Sequence, residues 1–436
     1  MNITVTAAEP KDNKLEAKLV IAAADVDAAV KKAYKDIANK YRFQGFRKGK
    51  APRQVIDGMV GKDAVLAEAS EELLNQATPL MLDQLDVVPV GQPTFGDEPV
   101  LAKEGSDYEL TATINLRPDC ELESYDAPEI NMPPEEVTDA EVDEQLETLV
   151  NYHGTFEDVT KKSYKAAKGD MLTLDIENVE NGEQLAGEDR PYMIGSTAVP
   201  AEFDEAITGM KLGETKDVEL KLEDKDVKVK VTLKSAKQHV VPELDDELAK
   251  KGFGFDSVDA LKDAVKEEVA EDKKVQLPNL KETRVIEKVA EALKLEELPQ
   301  DYVKEVFDEL AQDFLGQLQR QGLTLDAWLN ARGIQINDFL NDLNQQAAER
   351  ARQSLALDAL AKHLDLAATD EDVRSEFENA GVSDVDASIK EFTEAGRMPA
   401  VRETIKRSKA VDWLLENAKV NIVDEVAERR AARNAK

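Results

Sequence analysis

Residues 43–52 read Phe43-Gln-Gly-Phe-Arg-Lys-Gly-Lys-Ala-Pro52, and they decide how the first part of the chain folds. Two glycines and a proline interrupt an otherwise helical pattern. Gly45 and Gly49 allow a tight exposed turn, because glycine accepts positive φ angles without steric cost. Pro52 falls where a second helix begins, a position that tolerates the missing N–H group. We therefore expect a compact loop between two helices.

The side chains of this loop are suited to contact with a partner. Phe46 places an apolar ring at the tip, where water disfavours it. Arg47 can bind a phosphate or carboxylate through two parallel hydrogen bonds, and Lys48 and Lys50 add point charges. From the residues alone, a solvated loop without a partner remains an equally good interpretation.

The segments around the loop predict one α+β domain over residues 1–115. Residues 2–8 and 15–22 read as short strands, and the alternating stretch from Tyr108 reads as another. A helix with Asp25 as its N-cap is expected to follow the second strand. Its apolar face is formed by Val26, Val30, Tyr34, Ile37 and Tyr41.

Charge is distributed unevenly along the chain. The 436 residues contain 56 Lys and Arg against 90 Asp and Glu, a formal net charge of −34. Residues 31–53 reverse this sign, with nine basic side chains against the single Asp36. Because an acidic protein as a whole is repelled by nucleic acid, one basic tip favours end-on docking to a polyanion. A basic helix face with no partner is the open alternative.

Three further regions follow. Residues 116–150 are predicted to be a linker, extended through its prolines and ending in a helix that the capping-box pattern Thr138-Asp-Ala-Glu141 announces. Residues 151–245 read as a small β domain with one short helix near Glu202–Gly209 and a short turn at Glu223–Asp226. Residues 246–436 read as helical, with 28 basic and 40 acidic side chains, net −12. The segment after Asp424 is expected to fray.

Several classes of protein are excluded or disfavoured. The sequence has no Walker loop, no dinucleotide-binding glycine motif and no nucleophile elbow. Cys120 is the single cysteine and there are three histidines, so we expect no disulfide, no metal site and no cofactor. No apolar run is long enough to span a membrane, and the chain starts without a secretory pattern. We predict a soluble, cytoplasmic protein.

The loop Gly45-Phe-Arg-Lys-Gly-Lys-Ala-Pro52 closely resembles the ribosome-binding signature of the bacterial trigger factors. The order of a basic αβ domain, a linker, a small β domain and a long helical region is similar to that family over the whole chain. The resemblance implies an α+β multidomain fold with a ribosome-binding domain, an FKBP-like prolyl isomerase domain and an all-helical substrate-binding region.

The same resemblance implies a function and partners. The family is one of ribosome-associated chaperones that receive nascent polypeptides at the exit tunnel of the large subunit and assist folding. We expect contacts with ribosomal protein and rRNA, none with DNA or membranes, and leave a weak homodimer away from the ribosome open. Roles in protein transport and cell division are also implied. Ribosome contact is carried onto Gly45, Phe46, Arg47, Lys48, Gly49, Lys50 and Pro52.

The FKBP-like module departs from the family pattern at its pocket. Where the family has an aromatic residue in the first pocket strand, this chain has Ile176, and Leu185 and Val229 replace later aromatics. The helix motif survives in part as Val199-Pro-Ala-Glu-Phe203. Prolyl isomerisation needs an apolar pocket rather than an acid or base. We therefore predict peptidyl-prolyl isomerase activity that is weak or lost, with Ile176, Leu185, Val199, Phe203 and Val229 lining the pocket.

Two other functions stand beside the chaperone hypothesis. The chain could act chiefly as a prolyl isomerase whose other parts deliver substrate, which the altered pocket argues against. It could instead bind free RNA through residues 31–53, but that patch lacks a stacking sheet and belongs to an acidic chain. In the helical region, Phe253, Phe255, Phe307, Phe314 and Trp328 are expected to be core residues more often than cradle residues.

Overall fold

The computed structural model describes residues 1–96, 100–161, 163–196, 199–222 and 225–434. The chain forms two compact units, and each is assembled from separate stretches of sequence. The first unit contains Met1–Asn131 and Asn279–Asn421, and the second contains Met132–Pro278 with the chain from Ile422 onward. Among the described residues, no helix has the length and apolar character that crossing a bilayer requires.

The N-terminal part of the first unit is a three-stranded antiparallel sheet covered by helices. The strands are β1 (Ile3–Ala7), β2 (Lys14–Ile21) and β3 (Tyr108–Asn115), in that order across the sheet. The helices are α1 (Ala23–Lys40), α2 (Arg53–Met59) and α3 (Lys62–Leu85). Alternate residues of β2 are buried against the helices, as its alternating sequence predicts.

The predicted start of α1 is wrong by three residues. The helix begins at Ala23 with Ala22 as its N-cap, a residue without a capping side chain, and the Ala23 N–H donates to the Asp107 carboxylate at 2.8 Å. Asp25 lies in the first turn, where its carboxylate accepts a hydrogen bond from the Asn2 backbone N–H at 2.8 Å. Strand β2 ends at Ile21, so the helix starts directly after the strand. An acidic side chain in the first turn still favours the positive end of the helix.

The C-terminal part of the first unit is helical. It contains the end of α7 (Val258–Glu291), a long helix that both units share, and six further helices. These are α8 (Gln300–Arg320), α9 (Leu325–Arg332), α10 (Ile336–His363), α11 (Asp370–Asn379), α12 (Val385–Glu394) and α13 (Met398–Asn417). One short strand, β10 (Lys419–Ile422), follows and pairs with β4 (Glu129–Met132), which lies in the stretch predicted to be extended.

The second unit begins with α4 (Asp139–Tyr152), whose predicted capping box is present between Thr138 and Glu141. A five-stranded antiparallel sheet follows, with β5, β9, β6 and β7 in spatial order and β8 paired to β9. Its strands are β5 (Thr155–Asp158), β6 (Met171–Glu180), β7 (Gly187–Met193), β8 (Thr215–Leu222) and β9 (Lys225–Val240). The short helix α5 (Ala201–Ile207) packs on this sheet.

The predicted hairpin of β8 and β9 is present, with Val218 opposite Val229. Its turn was placed at Glu223–Asp226, and Glu223 and Asp224 lie outside the described residues. After β9 the chain forms α6 (Asp246–Leu248), a π-helical turn (Ala249–Phe253) and the first part of α7. Phe253 and Phe255 pack there against the apolar cluster that α4 and α7 share, as expected for core residues.

The chain after Asp424 does not fray as predicted. It forms α14 (Glu425–Asn434), which lies along α4. Arg430 and Arg433 donate to the carboxylate of Glu147 at 2.8 and 3.0 Å. The reason is charge complementarity with the acidic side chains of α4. These partners cannot be recognised from residues 425–434 alone.

The overall class agrees with the sequence. The molecule is a multidomain α+β protein with a long helical C-terminal region, as predicted. The boundaries of the four predicted regions stay predictions. The predicted regions follow one another along the sequence, whereas each of the two compact units combines separate stretches of it.

Candidate functional site

The basic loop, residues 41–52, consists of two successive tight turns after α1. The Phe46 N–H donates to the Phe43 carbonyl at 3.2 Å, and the Lys50 N–H donates to the Arg47 carbonyl at 2.9 Å. Gly45 and Gly49 occupy the third positions of these turns with φ of +85° and +78°. A type II turn needs positive φ at this position, which glycine supplies. The predicted compact loop is therefore formed by its own backbone.

The second turn is also fixed to α1. The Gly49 N–H donates to the Ala38 carbonyl at 2.9 Å. A Cβ atom at Gly49 would lie 2.3 Å from Oδ1 of Asn39, whereas a Cβ at Gly45 would meet nothing within 4 Å. Phe43 is buried in the domain core and anchors the start of the loop. The loop is thus held in place at both ends.

The cations of the loop are exposed and have no acidic partner. Among the described residues, no carboxylate lies within ion-pairing distance of Arg42, Arg47, Lys48 or Lys50. Phe46 is 40% exposed beside them. Cations without internal partners keep their charge available for an external anion, and an exposed ring next to them adds an apolar contact.

The base of the loop is rigid for a different reason. Arg53 lies over the ring of Tyr34, with its guanidinium carbon 4.6 Å from the ring centre, and pairs with Glu104 at 2.8 Å. The Tyr34 hydroxyl donates to Asp57 at 2.6 Å. Burial, with help from this hydrogen bond, raises the pKa of Tyr34 to about 12. These contacts connect α1 to α2 behind the loop.

Two exposed apolar side chains, one in the loop and one at the end of α2, were not predicted as site residues. Tyr41, expected on the buried face of α1, is the residue at which the helix ends and is 50% exposed. Met59, at the end of α2, is 63% exposed. Helical spacing placed Tyr41 on the buried face, but the last helical residue is the one before it. The spacing therefore did not predict that this side chain is exposed.

The five predicted pocket residues of the β domain belong to one apolar cluster. Ile176, Phe203 and Val229 are buried there at 7% exposure or less, and Leu185 and Val199 are half-buried against them. The sheet and α5 therefore bring all five together. Three of them serve as core packing between the sheet and the helix.

An open cleft of about 690 Å³ lies beside α5, lined in part by Lys168, Ser196, Val199 and Asp204. Val199 is the one predicted pocket residue that lines it. The two carboxylate oxygens of Asp204 accept hydrogen bonds from the Tyr192 hydroxyl at 2.7 Å and the Gly195 N–H at 2.9 Å. Burial, followed by that hydrogen bond, raises the pKa of Tyr192 to about 12.

The helical region carries an exposed apolar surface, which we call the α8–α10 surface. Its base is three half-buried rings on α8, α9 and α10, with centres 5.1 to 5.8 Å apart. Four large aliphatic side chains in or between the same helices are 38–44% exposed. The rings are Phe314, Trp328 and Phe339, and the aliphatic residues are Leu315, Leu323, Ile336 and Leu340.

This arrangement changes one expectation from the sequence. Phe307, Phe314 and Trp328 are half-buried rather than fully enclosed, so they combine packing with an accessible face.

Within the part of the chain that the structure describes, no group of three His, Cys, Asp or Glu side chains is placed to hold a metal ion.

Comparison with known proteins gives a consistent family. Residues 1–149 match the family model described as bacterial trigger factor protein, and residues 257–416 match the model of its C-terminus. The trigger factor of Lysinibacillus sphaericus is 31% identical, over 92% of this chain and 95% of its own length. Those of Carboxydothermus hydrogenoformans (31%; 95% and 99%) and Clostridioides difficile (30%; 94% and 97%) are similar.

A solved structure is also similar over most of its length. Its title is "Promiscuous Substrate Recognition in Folding and Assembly Activities of the Trigger Factor Chaperone". It covers 95% of this chain and 99% of its own, at 20% identity and with a TM-score of 0.36.

Proposed function

The chain belongs to the bacterial trigger factor family of ribosome-associated chaperones, and we propose that the basic loop is the element by which it docks on the ribosome. The observation that carries this proposal is the group of exposed cations beside Phe46, which have no acidic partner among the residues that the structure describes. They stand on a turn whose backbone hydrogen bonds fix its shape before any partner arrives. Preorganisation of this kind reduces the entropy lost on binding.

The partners follow from the chemistry of the loop. Arg47 is suited to phosphate or carboxylate, Lys48 and Lys50 to a negative field, and Phe46 to an apolar groove of a protein. A surface that offers both rRNA and protein meets all of these needs. We therefore propose contact with the large subunit near the exit tunnel, in the cytoplasm where ribosomes work.

Co-sedimentation with purified bacterial ribosomes tests this docking. The variant Phe46→Ala/Arg47→Ala/Lys48→Ala should stay in the supernatant where the wild type pellets. Lys31→Ala/Lys35→Ala is the matched control, since it also removes two exposed positive charges, from α1 rather than from the loop. Equal pelleting of the loop variant and the wild type would disprove the proposal, and equal loss in both variants would make the interaction one of general charge.

We propose that the α8–α10 surface holds client polypeptides. Four exposed aliphatic side chains lie in or between the helices that carry three half-buried rings, and they offer apolar area that a non-binding helical region would bury. Several modest contacts give weak binding and fast release, which suits clients that must fold afterwards. The test is suppression of aggregation of a proline-free client, which Ile336→Ser/Leu340→Ser should reduce while ribosome pelleting stays unchanged.

Prolyl isomerase activity is a second and weaker candidate function. The proposal that this activity is low rests on the loss of pocket aromatics and on the burial of Ile176, Phe203 and Val229 in the core. A protease-free proline isomerisation assay on the full chain should give turnover well below that of a trigger factor with aromatic residues at these positions. Comparable turnover would overturn it.

We keep the four-part division of the chain as a proposal. Residues 1–115 form the ribosome-binding domain, 116–150 the linker, 151–245 the FKBP-like domain and 246–436 the client-binding region. A weak homodimer and roles in transport and cell division remain predictions of the family resemblance. The alternatives of a pure isomerase and a free RNA-binding protein are not favoured by the family assignment.

A further inference from the structure

The first turns of α10 expose a face on which amide and aliphatic side chains alternate. Ile336, Asn337, Leu340, Asn341 and Asn344 follow one another at helical spacing, and all five are exposed. The neighbouring face of the same turns carries Phe339, which is half-buried, and Leu343 and Ala347, which are buried. No charged residue interrupts the exposed stripe of five. We call this stripe the amide face.

The amide face lies in an unusually neutral part of the chain. Residues 317–346 contain ten Asn and Gln, but only two basic and three acidic residues, so their net charge is 2 − 3 = −1 against −34 for the chain. All ten amides are exposed. Within the described structure, none of their side chains makes a hydrogen bond. Their donors and acceptors are left to solvent or to a ligand.

Helix stability does not explain this composition. Asn is less favourable than Ala, Glu or Lys in a helix interior, by roughly half a kcal/mol per residue. On α7 the comparable exposed positions are charged, as at Lys262, Asp263, Lys266 and Glu267. The same choice on α10 would have made a more stable and more soluble helix. Neutral amides at Asn337, Asn341 and Asn344 therefore call for another role.

We propose that the amide face binds the backbone of an extended, uncharged polypeptide segment. Each amide side chain offers both a donor and an acceptor, the two groups that an unpaired peptide unit presents. Ile336 and Leu340, placed between the amides, contact the apolar side chains of the same segment. The inference rests on the proposed client-binding role of the α8–α10 surface and names what that surface recognises.

The charge pattern selects this occupant over others. Nucleic acid and anionic lipid need cations, and the amide face has none. A second copy of the chain would bring another −34 charges, and this repulsion opposes self-association. Amide and aliphatic side chains instead can bind an uncharged segment whatever the net charge of the rest of the client. Such binding should change little with salt, because no ion pair is involved.

The test is fluorescence anisotropy with the full chain and two peptide probes. One is a labelled, uncharged peptide of Leu, Phe, Ser and Gly, and the other is the same sequence with alternate backbone nitrogens methylated. Asn337→Ala/Asn341→Ala/Asn344→Ala should raise the Kd of the unmodified peptide by about fivefold or more, as expected for several lost hydrogen bonds. Gln276→Ala/Asn279→Ala on α7 is the matched control and should leave it unchanged.

The outcomes separate this inference from the function on which it rests. The methylated peptide should bind more weakly to the wild type, and the triple variant should bind both peptides equally. If Ile336→Ser/Leu340→Ser weakens binding but neither the amide variant nor methylation does, the surface binds clients and the backbone inference is wrong. If no variant changes binding, both proposals fail. Dimerisation in sedimentation velocity that the triple variant abolishes would overturn the inference in favour of a second copy.

Discussion

At the scale of single residues, the basic loop depends on a glycine with two constraints. Gly49 has positive φ, and a Cβ atom there would displace the side-chain oxygen of Asn39, while Gly45 has the first constraint alone. We expect Gly49→Ala to weaken ribosome binding by about tenfold, because the strained turn would shift Arg47 and Lys48. Gly45→Ala should have a smaller effect. Ribosome pelleting at several concentrations measures both.

A compensating change separates the two constraints. Asn39→Ala removes the atom that a new Cβ would meet, so Gly49→Ala/Asn39→Ala should recover part of the lost affinity. The remaining deficit measures the cost of positive φ for an alanine, which is about 1 kcal/mol. No recovery in the double variant would show that crowding at Asn39 is unimportant.

A buried ion pair in the second unit gives a stability prediction. Lys273 is 8% exposed, and its ammonium donates to Glu141 at 2.6 Å and to the Glu136 carbonyl at 3.0 Å. Lys273→Ala leaves the Glu141 carboxylate buried without its cation, so we expect a loss of about 3 kcal/mol in the free energy of unfolding. Urea unfolding followed by circular dichroism measures it, and Lys274→Ala, an exposed neighbour, should cost little.

Tyr34 gives a prediction for alkaline pH. Its pKa is raised to about 12, chiefly by burial and then by the hydrogen bond to Asp57. An unfolded tyrosine has a pKa near 10, so folding favours the neutral form. This contribution to stability is complete below pH 10 and is lost as pH rises towards 12. The difference in phenolate absorbance between wild type and Tyr34→Phe should therefore appear near pH 12, and its appearance near pH 10 would contradict the buried hydrogen bond.

At the scale of elements, α14 is held to α4 by its arginines, and their burial differs. The Arg430 side chain is 22% exposed and that of Arg429 is 69% exposed, although both reach acidic residues of α4. We expect Arg430→Ala to speed hydrogen exchange in α14 severalfold, because an exposed ion pair contributes far less than a partly buried one. Arg429→Ala should change it little, and equal effects would contradict the geometry.

Elements defined by local patterns were predictable from the sequence, and those defined by distant partners were not. The alternation of β2 and β3 and the capping box at Thr138 are local, and the structure contains all three. Helix α14 is stable because of acidic residues more than 280 positions earlier, which no local window includes. The N-cap of α1 was missed because the preceding strand, rather than a capping side chain, sets where the helix begins.

The same distinction applies to the candidate site. The loop was predictable because Gly45 and Gly49 supply the positive φ angles that its two turns require. The burial of Ile176 and Val229 depends on how α5 covers the sheet, so their spacing could not show which side chains face an open cleft. The amide face on α10 could be recognised only when exposure separated its stripe from the less exposed Phe339 and Leu343 beside it.

At the scale of the whole molecule, charge divides the two proposed binding activities. Docking through a few cations releases counterions, so its Kd should rise by roughly 10- to 100-fold between 50 and 200 mM salt if about two to four phosphates are contacted. Binding of an uncharged peptide should change by less than twofold over the same range. Parallel salt titrations of ribosome pelleting and peptide anisotropy check this, and a shared salt dependence would contradict separate recognition chemistries.

The assembly of the first unit from two distant stretches has a consequence for how this protein folds during its own synthesis. Arg117 pairs with Asp358 and Glu403, which lie 241 and 286 positions later in the chain. During its own translation, Arg117 must therefore wait until most of the chain has been made before those partners arrive. Long-range closure of this kind slows folding. A member of a family that assists newly made chains is thus itself a chain whose folding is completed late.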